Sequence, residues 1–449
     1  MKNDKYIKEL FEFLEIPTIS AQTKHTGDMK AACDYLSKKL SSLGFSAQTM
    51  KTHGHPVVYG ESLSAGEDKP TILVYGHYDV QSPDPLDEWL SYPFKPEIRS
   101  GNIYARGVAD DKGQLYTWIA ACEEMLGTNK SLPVNVKFLL EGEEEVGSEN
   151  LNDFVEENTS LIKADVCVIS DSHSLNPEQP LITYGLKGIS YMEIMVKTLG
   201  RDVHSGMYGG NVLNPANVLA QIISKLKDEN HKVLIPGFYE SVRKLSRRER
   251  DKLSKFPFTE KEVAEETGAF AVCGENGFSV AERAGARPTL DVNGIWGGYQ
   301  GEGQKTIIPG EAGAKISMRI VPNQDSNDIA KKFEDYVQEI KPDGVEVTVK
   351  QLSGGEPILM NTDSKYFGAA EEAYEKVFGN KPLYELSGGS IPVTATFKRL
   401  MGIDSVLMGY GLPDDGLHSP NEKLSVAMFE KGIKVNLEFL KKLGTIKER

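Results

Sequence analysis

Cysteine is scarce: the 449-residue chain holds four, Cys33, Cys122, Cys167 and Cys273, and no two of them form a C-x-x-C pair. That argues against a zinc ribbon and a disulfide framework. A chain this long needs no such staple, because large chains bury about three-quarters of their unfolded surface. The four are expected to be reduced thiols. Positive charge is also in deficit, 51 Lys+Arg facing 65 Asp+Glu for a net charge of −14. Such a chain repels phosphate backbones, so nucleic acid is not an expected partner. Long apolar runs are missing as well. No stretch approaches the ~20 residues of a membrane span, and the start, MKNDKYIKELFEFLEIP, is charged where a signal peptide would be apolar. No membrane association is expected, and the expected compartment is the cytoplasm. There is no internal repeat, no low-complexity tract and no P-loop, which disfavours a phosphotransferase.

What remains is an ordinary globular composition, 39% hydrophobic and 26% charged, with a length suited to two or three domains. Ile7, Leu10, Phe11 and Leu14 have helical spacing, ended near Pro17, and a second helix is expected over about Met29–Leu43. Apolar strand-like runs follow at Thr71–Tyr75, Val134–Leu140 and Val166–Ile169, with a helix over about Gln114–Leu126 between the first two. Strands alternating with helices indicate an α/β fold with a mixed, largely parallel sheet flanked by helices. The rhythm changes near Gly185. Ser190–Lys197 and Ala314–Val321 alternate with period two, as half-exposed antiparallel strands do. Helices are expected over Pro215–Lys227 and Ile329–Ile340, with a strand near Val345–Lys350. Ser241–Glu266 is polar and helical and should pack little. After Gly354–Pro357 the α/β rhythm returns: a helix at Ser364–Phe378, a strand at Ser405–Met408 and a last helix at Val426–Leu443. The expected division is a catalytic domain in two parts, 1–185 and 357–449, with a smaller α+β domain, 186–356, inserted between them.

The chemistry gathers at strand ends, where α/β sheets collect ligands. The first run leads into Gly76-His77-Tyr78-Asp79, and a glycine-bearing turn leads into Asp110-Asp111-Lys112-Gly113. The run Val134–Leu140 leads into Glu141-Gly142-Glu143-Glu144-Glu145, and Val166–Ser170 leads into Asp171. His418 sits in a late loop, Gly416–Pro420. Taken singly, an Asp-Asp before a helix is an N-cap and a Glu-rich loop is solvated surface. Taken together, imidazoles and carboxylates on one sheet edge repel one another unless a cation joins them, and mixed His/carboxylate donors suit Zn²⁺ or Mn²⁺. Asp79 can accept the second imidazole N–H of His77 and fix its tautomer. In the 141–145 loop one carboxylate can bind metal while a neighbour acts as a base, and spacing does not say which.

The order GHYDV, GVADDKG, EGEEEVGS, SDSH, GRDVHSGMYGG, KTIIP, RIVP, GGSIPVT, GLHSPNEK resembles the M20 family of metallopeptidases over essentially the whole chain. Within that family it looks like the cytosolic non-specific and carnosine dipeptidases. The resemblance implies a site for two divalent metal ions, Zn²⁺ or Mn²⁺, held by His77, Asp110, Glu145, Asp171 and His418. Asp110 would bridge the two ions, and the Asp110–Asp111 peptide would be cis. By the same resemblance Glu144 is the general base, and Glu143 stands where relatives often have no acid. Asp at position 171 is typical of dipeptidases and aminopeptidases, Glu of carboxypeptidases and deacylases. His204 matches a residue that supports the oxyanion across the family's dimer, which makes a homodimer through the inserted lid domain the expected assembly. Arg319, Thr306 and Ser390 match substrate contacts, Arg319 at the substrate carboxylate.

The expected reaction is hydrolysis of a short peptide, most simply a dipeptide, by water held between two cations, with Glu144 taking its proton. An N-acyl-amino-acid amidohydrolase would share every ligand, and a non-catalytic metal- or peptide-binding relative would not need Glu144. Glycine-bearing stretches near 185–188 and 354–355 are candidate hinges.

Overall fold

Thr71–His77, Asn135–Glu141 and Val166–Ile169 are buried almost throughout, as strands covered on both faces must be. In the computed structural model, which describes residues 2–389 and 391–446, they are neighbours in one sheet. Thr71–His77 pairs in parallel with Asn135–Glu141 on one side and Val166–Ile169 on the other, and Ser405–Leu407 extends the parallel centre beyond Val166–Ile169. The flanks turn antiparallel: Val57–Ser62 and then Ser46–Met50 beyond Asn135–Glu141, and Leu181–Leu186 beside Ser405–Leu407. The sheet is therefore mixed and largely parallel at its centre. The helix Lys112–Asn129 is buried nearly all round over its first three turns. It packs on Thr71–His77 and against the final helix, Val426–Leu443, whose N-cap Ser425 accepts the amide of Met428.

The chain forms two compact units. The first holds residues up to Tyr184, Met360–Tyr384 and the chain from Pro392 on; the second holds Gly185–Leu359 with Glu385–Ile391. The second unit is built on a four-stranded antiparallel sheet in the order Thr289–Gly297, Glu311–Ile320, Gly188–Lys197, Glu346–Gly355. Period-two alternation buries Met192, Ile194, Val196, Ile316, Met318 and Ile320 together with Phe333 and Val337 of the helix Ser326–Ile340 and Leu219 of the helix Pro215–Ser224. The opposite face carries Glu193, Lys315, Ser317 and Arg319, all only partly buried or exposed. The polar segment 241–266 folds into short helices, Arg247–Leu253 and Glu260–Thr267, each started by a capping box. Local capping sustains them rather than packing: the first buries only Leu253 and the second nothing.

Candidate metal centre

Thr71–His77 delivers His77 at its carboxyl end, level with Glu141 of the neighbouring strand. The backbone is tight here. A Cβ on Gly76 would lie 2.7 Å from Asp111 Oδ2, and one on Gly142 would lie 2.4 Å from the Tyr78 ring. His77 is fully buried, with Nδ1 3.1 Å from the Asp79 carbonyl oxygen and 3.3 Å from Asp79 Oδ1. Its Nε2 lies 2.9 Å from Asp110 Oδ1 and 3.8 Å from Asp171 Oδ2. From the late loop, His418 Nε2 lies 3.0 Å from the other oxygen of Asp110 and 3.3 Å from Glu145 Oε2. Donor atoms of His77, Asp110 and Glu145 all fall within 4.8 Å of one another. The Asp110–Asp111 peptide is cis, as the resemblance implies.

This is a crowd of charge, buried at His77 and Asp79 and opening to solvent at His418. Burial opposes charge on His77, but hydrogen bonds to Asp110 and Asp79 hold its pKa well above the usual value. Burial likewise disfavours the Asp110 carboxylate, yet the bonds from His418 and His77 keep it well below the usual range. Bonds to Asp110 and Glu145 push His418 up to about 10. Burial, then the Asp110 charge, raises Asp171 well above the ordinary carboxylate value. Burial also lifts Glu144, to about 6, against the pull of His77. Protons on the imidazoles would balance the carboxylates. A divalent cation does the same job with imidazole and oxygen donors of this kind, so the residues fit one.

A second layer sets these groups in place. Asp79 accepts the amides of Glu144 and Glu145 at 3.3 and 3.1 Å, so the residue behind His77 also holds the acidic turn. Gln81 donates its backbone N–H and side-chain amide to the two oxygens of Glu145. Glu143 turns elsewhere, accepting the His55 amide at 3.1 Å and the Asn150 side chain. Its extra charge is thereby used to pin the 52–56 loop.

The residues expected to contact substrate lie in the second unit. His204 is exposed and its Nδ1 accepts the Gly206 amide at 3.0 Å, capping the short helix Ser205–Tyr208. Val203–His204 pairs with Ile307–Ile308, and the Thr306 carbonyl accepts the Ser205 amide, so His204 and Thr306 are neighbours. Arg319 sits on the sheet face away from the helices, between Ile189 and Thr289. Ser390 lies outside the described residues. Sequence reasoning missed Gln81 and Asn150, which carry no periodicity signal. It also missed Glu422, inside the GLHSPNEK motif, whose buried carboxylate accepts the Asp110 amide at 3.1 Å.

A buried imidazole and clustered carboxylates at the carboxyl ends of a parallel sheet, joined by His418 from an exposed loop, mark an α/β metalloenzyme. Comparison with known proteins sharpens this. The sequence profile of peptidase family M20/M25/M40 matches residues 73–442. A Cys-Gly metallodipeptidase of Schizosaccharomyces pombe is 32% identical over 99% of this chain and 97% of its own. A human Beta-Ala-His dipeptidase is 31% identical over 87% of this chain and 78% of its own. Among solved structures, an M20 family metallo-carboxypeptidase from Sulfolobus solfataricus superposes with a TM-score of 0.85 at 36% identity, covering 98% of this chain and 99% of that one. The chain belongs to peptidase family M20/M25/M40 and is a metallopeptidase. No helix among the described residues is long and apolar enough to cross a membrane.

Proposed function

We propose that the protein hydrolyses dipeptides, using two divalent metal ions held by His77, Asp110, Glu145, Asp171 and His418. The observation that carries this reading is the division of the Asp110 carboxylate between the imidazoles of His77 and His418. That arrangement makes Asp110 the natural bridge between two ligand groups. The similarity to the Cys-Gly and Beta-Ala-His dipeptidases supports the substrate class. Zn²⁺ or Mn²⁺ held there would supply Lewis acidity and lower the pKa of water.

The remaining work falls to side chains. Glu144, its carboxylate lifted toward neutrality by burial, takes a proton from the attacking water and returns it to the leaving amine. Asp79 orients His77 and the 144–145 turn together. Arg319, with its planar fork, binds the free carboxylate of the substrate, assisted by Thr306 and Ser390. His204 donates to the oxyanion of a neighbouring subunit's site. The inserted domain, 186–356, serves as lid and dimerisation domain, and the cytoplasm is the compartment.

A second reading has its own support: the relative from Sulfolobus solfataricus is named a metallo-carboxypeptidase. The deciding experiment strips the enzyme and refills it separately with Zn²⁺, Mn²⁺ and Co²⁺. Each form is assayed on dipeptides, N-acyl-amino acids and peptides of three to six residues. Dipeptide cleavage with little action on the others supports the proposal. Stepwise loss of C-terminal residues from longer peptides favours a carboxypeptidase, and preference for acylated substrates favours a deacylase. Glu144→Gln should retain metal while turnover falls by several orders of magnitude, and wild-type turnover in that variant would defeat the base assignment. Mixed dimers of Glu144→Ala and His204→Ala protomers should regain activity; mixtures that regain none would refute sharing of His204 between subunits.

A further inference from the structure

Glu422 is fully buried and far in sequence from everything its side chain touches. Its Oε2 accepts Arg106 Nη1 at 2.8 Å and the Gly107 amide at 2.9 Å. Its Oε1 accepts the amides of Ala109 and Asp110 at 2.8 and 3.1 Å. One carboxylate thus gathers three backbone N–H groups of the 107–110 turn, the turn that presents Asp110. The turn needs such an anchor. Gly107 has φ 82°, and a Cβ there would lie 2.3 Å from Val80 Cγ1, so the chain has been bent into a shape side chains rarely adopt.

The same residue is tied to the loop of His418. Its carbonyl oxygen accepts the Ala105 amide at 3.2 Å, and Lys423 pairs with Tyr104 in a short sheet. The loop before it is closed on itself. Lys423 Nζ binds Asp414 and Asp415 at 2.9 and 3.1 Å, Asp415 Oδ2 accepts the Leu412 amide at 2.7 Å, and the Lys423 amide reaches the Asp415 carbonyl at 2.9 Å. Asn421, at φ 62°, is held by the Leu90 amide and the Glu88 carbonyl, each at 2.8 Å. Opposite, Arg106 reaches the Ser82 carbonyl at 3.2 Å and lies over the Trp89 ring, 5.4 Å from its centre.

We propose that Glu422 is the positioning residue of the metal centre: its carboxylate ties the Asp110 turn to the His418 loop, so that both ligands stand ready before any cation arrives. It touches neither substrate nor cation. The proposal rests on the reading of Asp110 and His418 as ligands and adds to it the reason they are in register. Burial lifts the Glu422 carboxyl to about 7, but every hydrogen bond it makes is accepted, from the Arg106 guanidinium and three backbone N–H groups. That donor set suits an ionised carboxylate, and such charge-assisted bonds are roughly twice as strong as neutral ones. Groups that orient ligands typically change metal affinity by about 10- to 100-fold when altered.

The first test needs no mutation. Hydrogen exchange is followed at the amides of Gly107, Ala109 and Asp110 in metal-loaded and chelator-stripped wild type. Glu422 anchoring predicts that all three stay protected after stripping, whereas exchange at open-loop rates would overturn the proposal. The second test compares folded Glu422→Gln and Glu422→Asp with wild type, by chelator competition for Co²⁺ and by the visible absorption of the bound ion. The Gln variant should bind about 10- to 100-fold more weakly with an altered spectrum, and the Asp variant, which keeps the charge, should recover part of the loss. Wild-type affinity and spectrum in folded Glu422→Gln would reduce Glu422 to a brace of the fold and sink the proposal. If wild type itself bound no divalent ion, the functional reading would fail while the exchange result still judged the anchor.

Discussion

Gln81 grips both oxygens of Glu145, its backbone N–H 3.1 Å from Oε1 and its side-chain amide 2.9 Å from Oε2. The side-chain amide also reaches the Glu145 carbonyl at 3.3 Å. A carboxylate held from two sides has little rotational freedom left to lose when it binds a cation. Gln81→Leu keeps much of the volume and removes the side-chain donor. The expected result is a loss of about 10-fold in metal affinity, with turnover of the fully loaded enzyme far less affected than in Glu144→Gln. Chelator competition followed by assay at saturating metal separates the two effects, and an unchanged metal affinity would show that the backbone N–H alone suffices.

Metal loading should release protons. Hydrogen bonds to Asp110 and its neighbours keep His77 well above its usual pKa and lift His418 to about 10. Near neutral pH the stripped protein therefore carries a proton on each imidazole, and a ligating imidazole must give it up. Asp110, already held well below the usual range, contributes none, whereas Asp171, raised well above the ordinary carboxylate value by burial, adds any proton it holds. Titration calorimetry in buffers of different ionisation enthalpy should give apparent heats that track the buffer, with the two imidazoles and Asp171 as the proton sources. Heats independent of buffer would mean that neither the imidazoles nor Asp171 hold a proton before the ion arrives.

Lys187 makes stability depend on pH through the second unit. It is buried, its Nζ bonded to the Arg283 carbonyl at 2.9 Å. Burial first, then the charge of Arg319, lowers its pKa from 10.5 to about 7. Because the folded value lies below the unfolded one, between about pH 7 and 10.5 the unfolded chain holds a proton that the folded chain lacks. Stability from this residue therefore rises with pH across that window, and the penalty is complete below it. Lys187→Met removes the titration. Denaturant unfolding of both proteins across the window should show wild type gaining on the variant by up to about 1.4 kcal/mol per pH unit. Parallel stability curves would mean that Lys187 keeps its ordinary pKa in the fold.

These cases mark where sequence reasoning reaches and where it stops. Val166–Ile169 and Val426–Leu443 were legible to the residue, because a bounded apolar run and a long amphipathic period are local signals. Ser46–Met50 was not, since an outer strand that buries none of its residues fully carries no alternation to read. The small sheet of Glu97–Arg99, Asn102–Tyr104 and Lys423–Ser425 was invisible for another reason: each strand has three residues, and one of them comes from the far end of the chain. The site divides the same way. His77, Asp110 and the acidic 141–145 loop announce themselves by chemistry at strand ends. Gln81 and Glu422 are ordinary polar residues whose partners are chosen by tertiary contact. Glu143 is a surplus charge by local pattern, and only tertiary contact brings His55 and Asn150 against it.

Two glycines of one helix give the last prediction, because Lys112–Asn129 holds both and only one of them is confined. A Cβ on Gly113 would lie 2.0 Å from the Val108 carbonyl oxygen and 2.9 Å from Leu424 Cδ2. The first obstacle is backbone, two residues before Asp110, and it cannot yield without moving the turn. Gly127 has nothing within 4 Å of its added Cβ and is exposed. Gly113→Ala should therefore cost about 1–3 kcal/mol, as overpacking does, and weaken metal binding at the same time. Gly127→Ala should stabilise by about 0.5–1 kcal/mol, since alanine forms helix more readily than glycine, with metal affinity unchanged. Denaturant unfolding of the stripped proteins, paired with Co²⁺ competition, reads both quantities. If Gly113→Ala bound Co²⁺ like wild type, the turn would tolerate displacement, and close approach at Gly113 would matter only for packing.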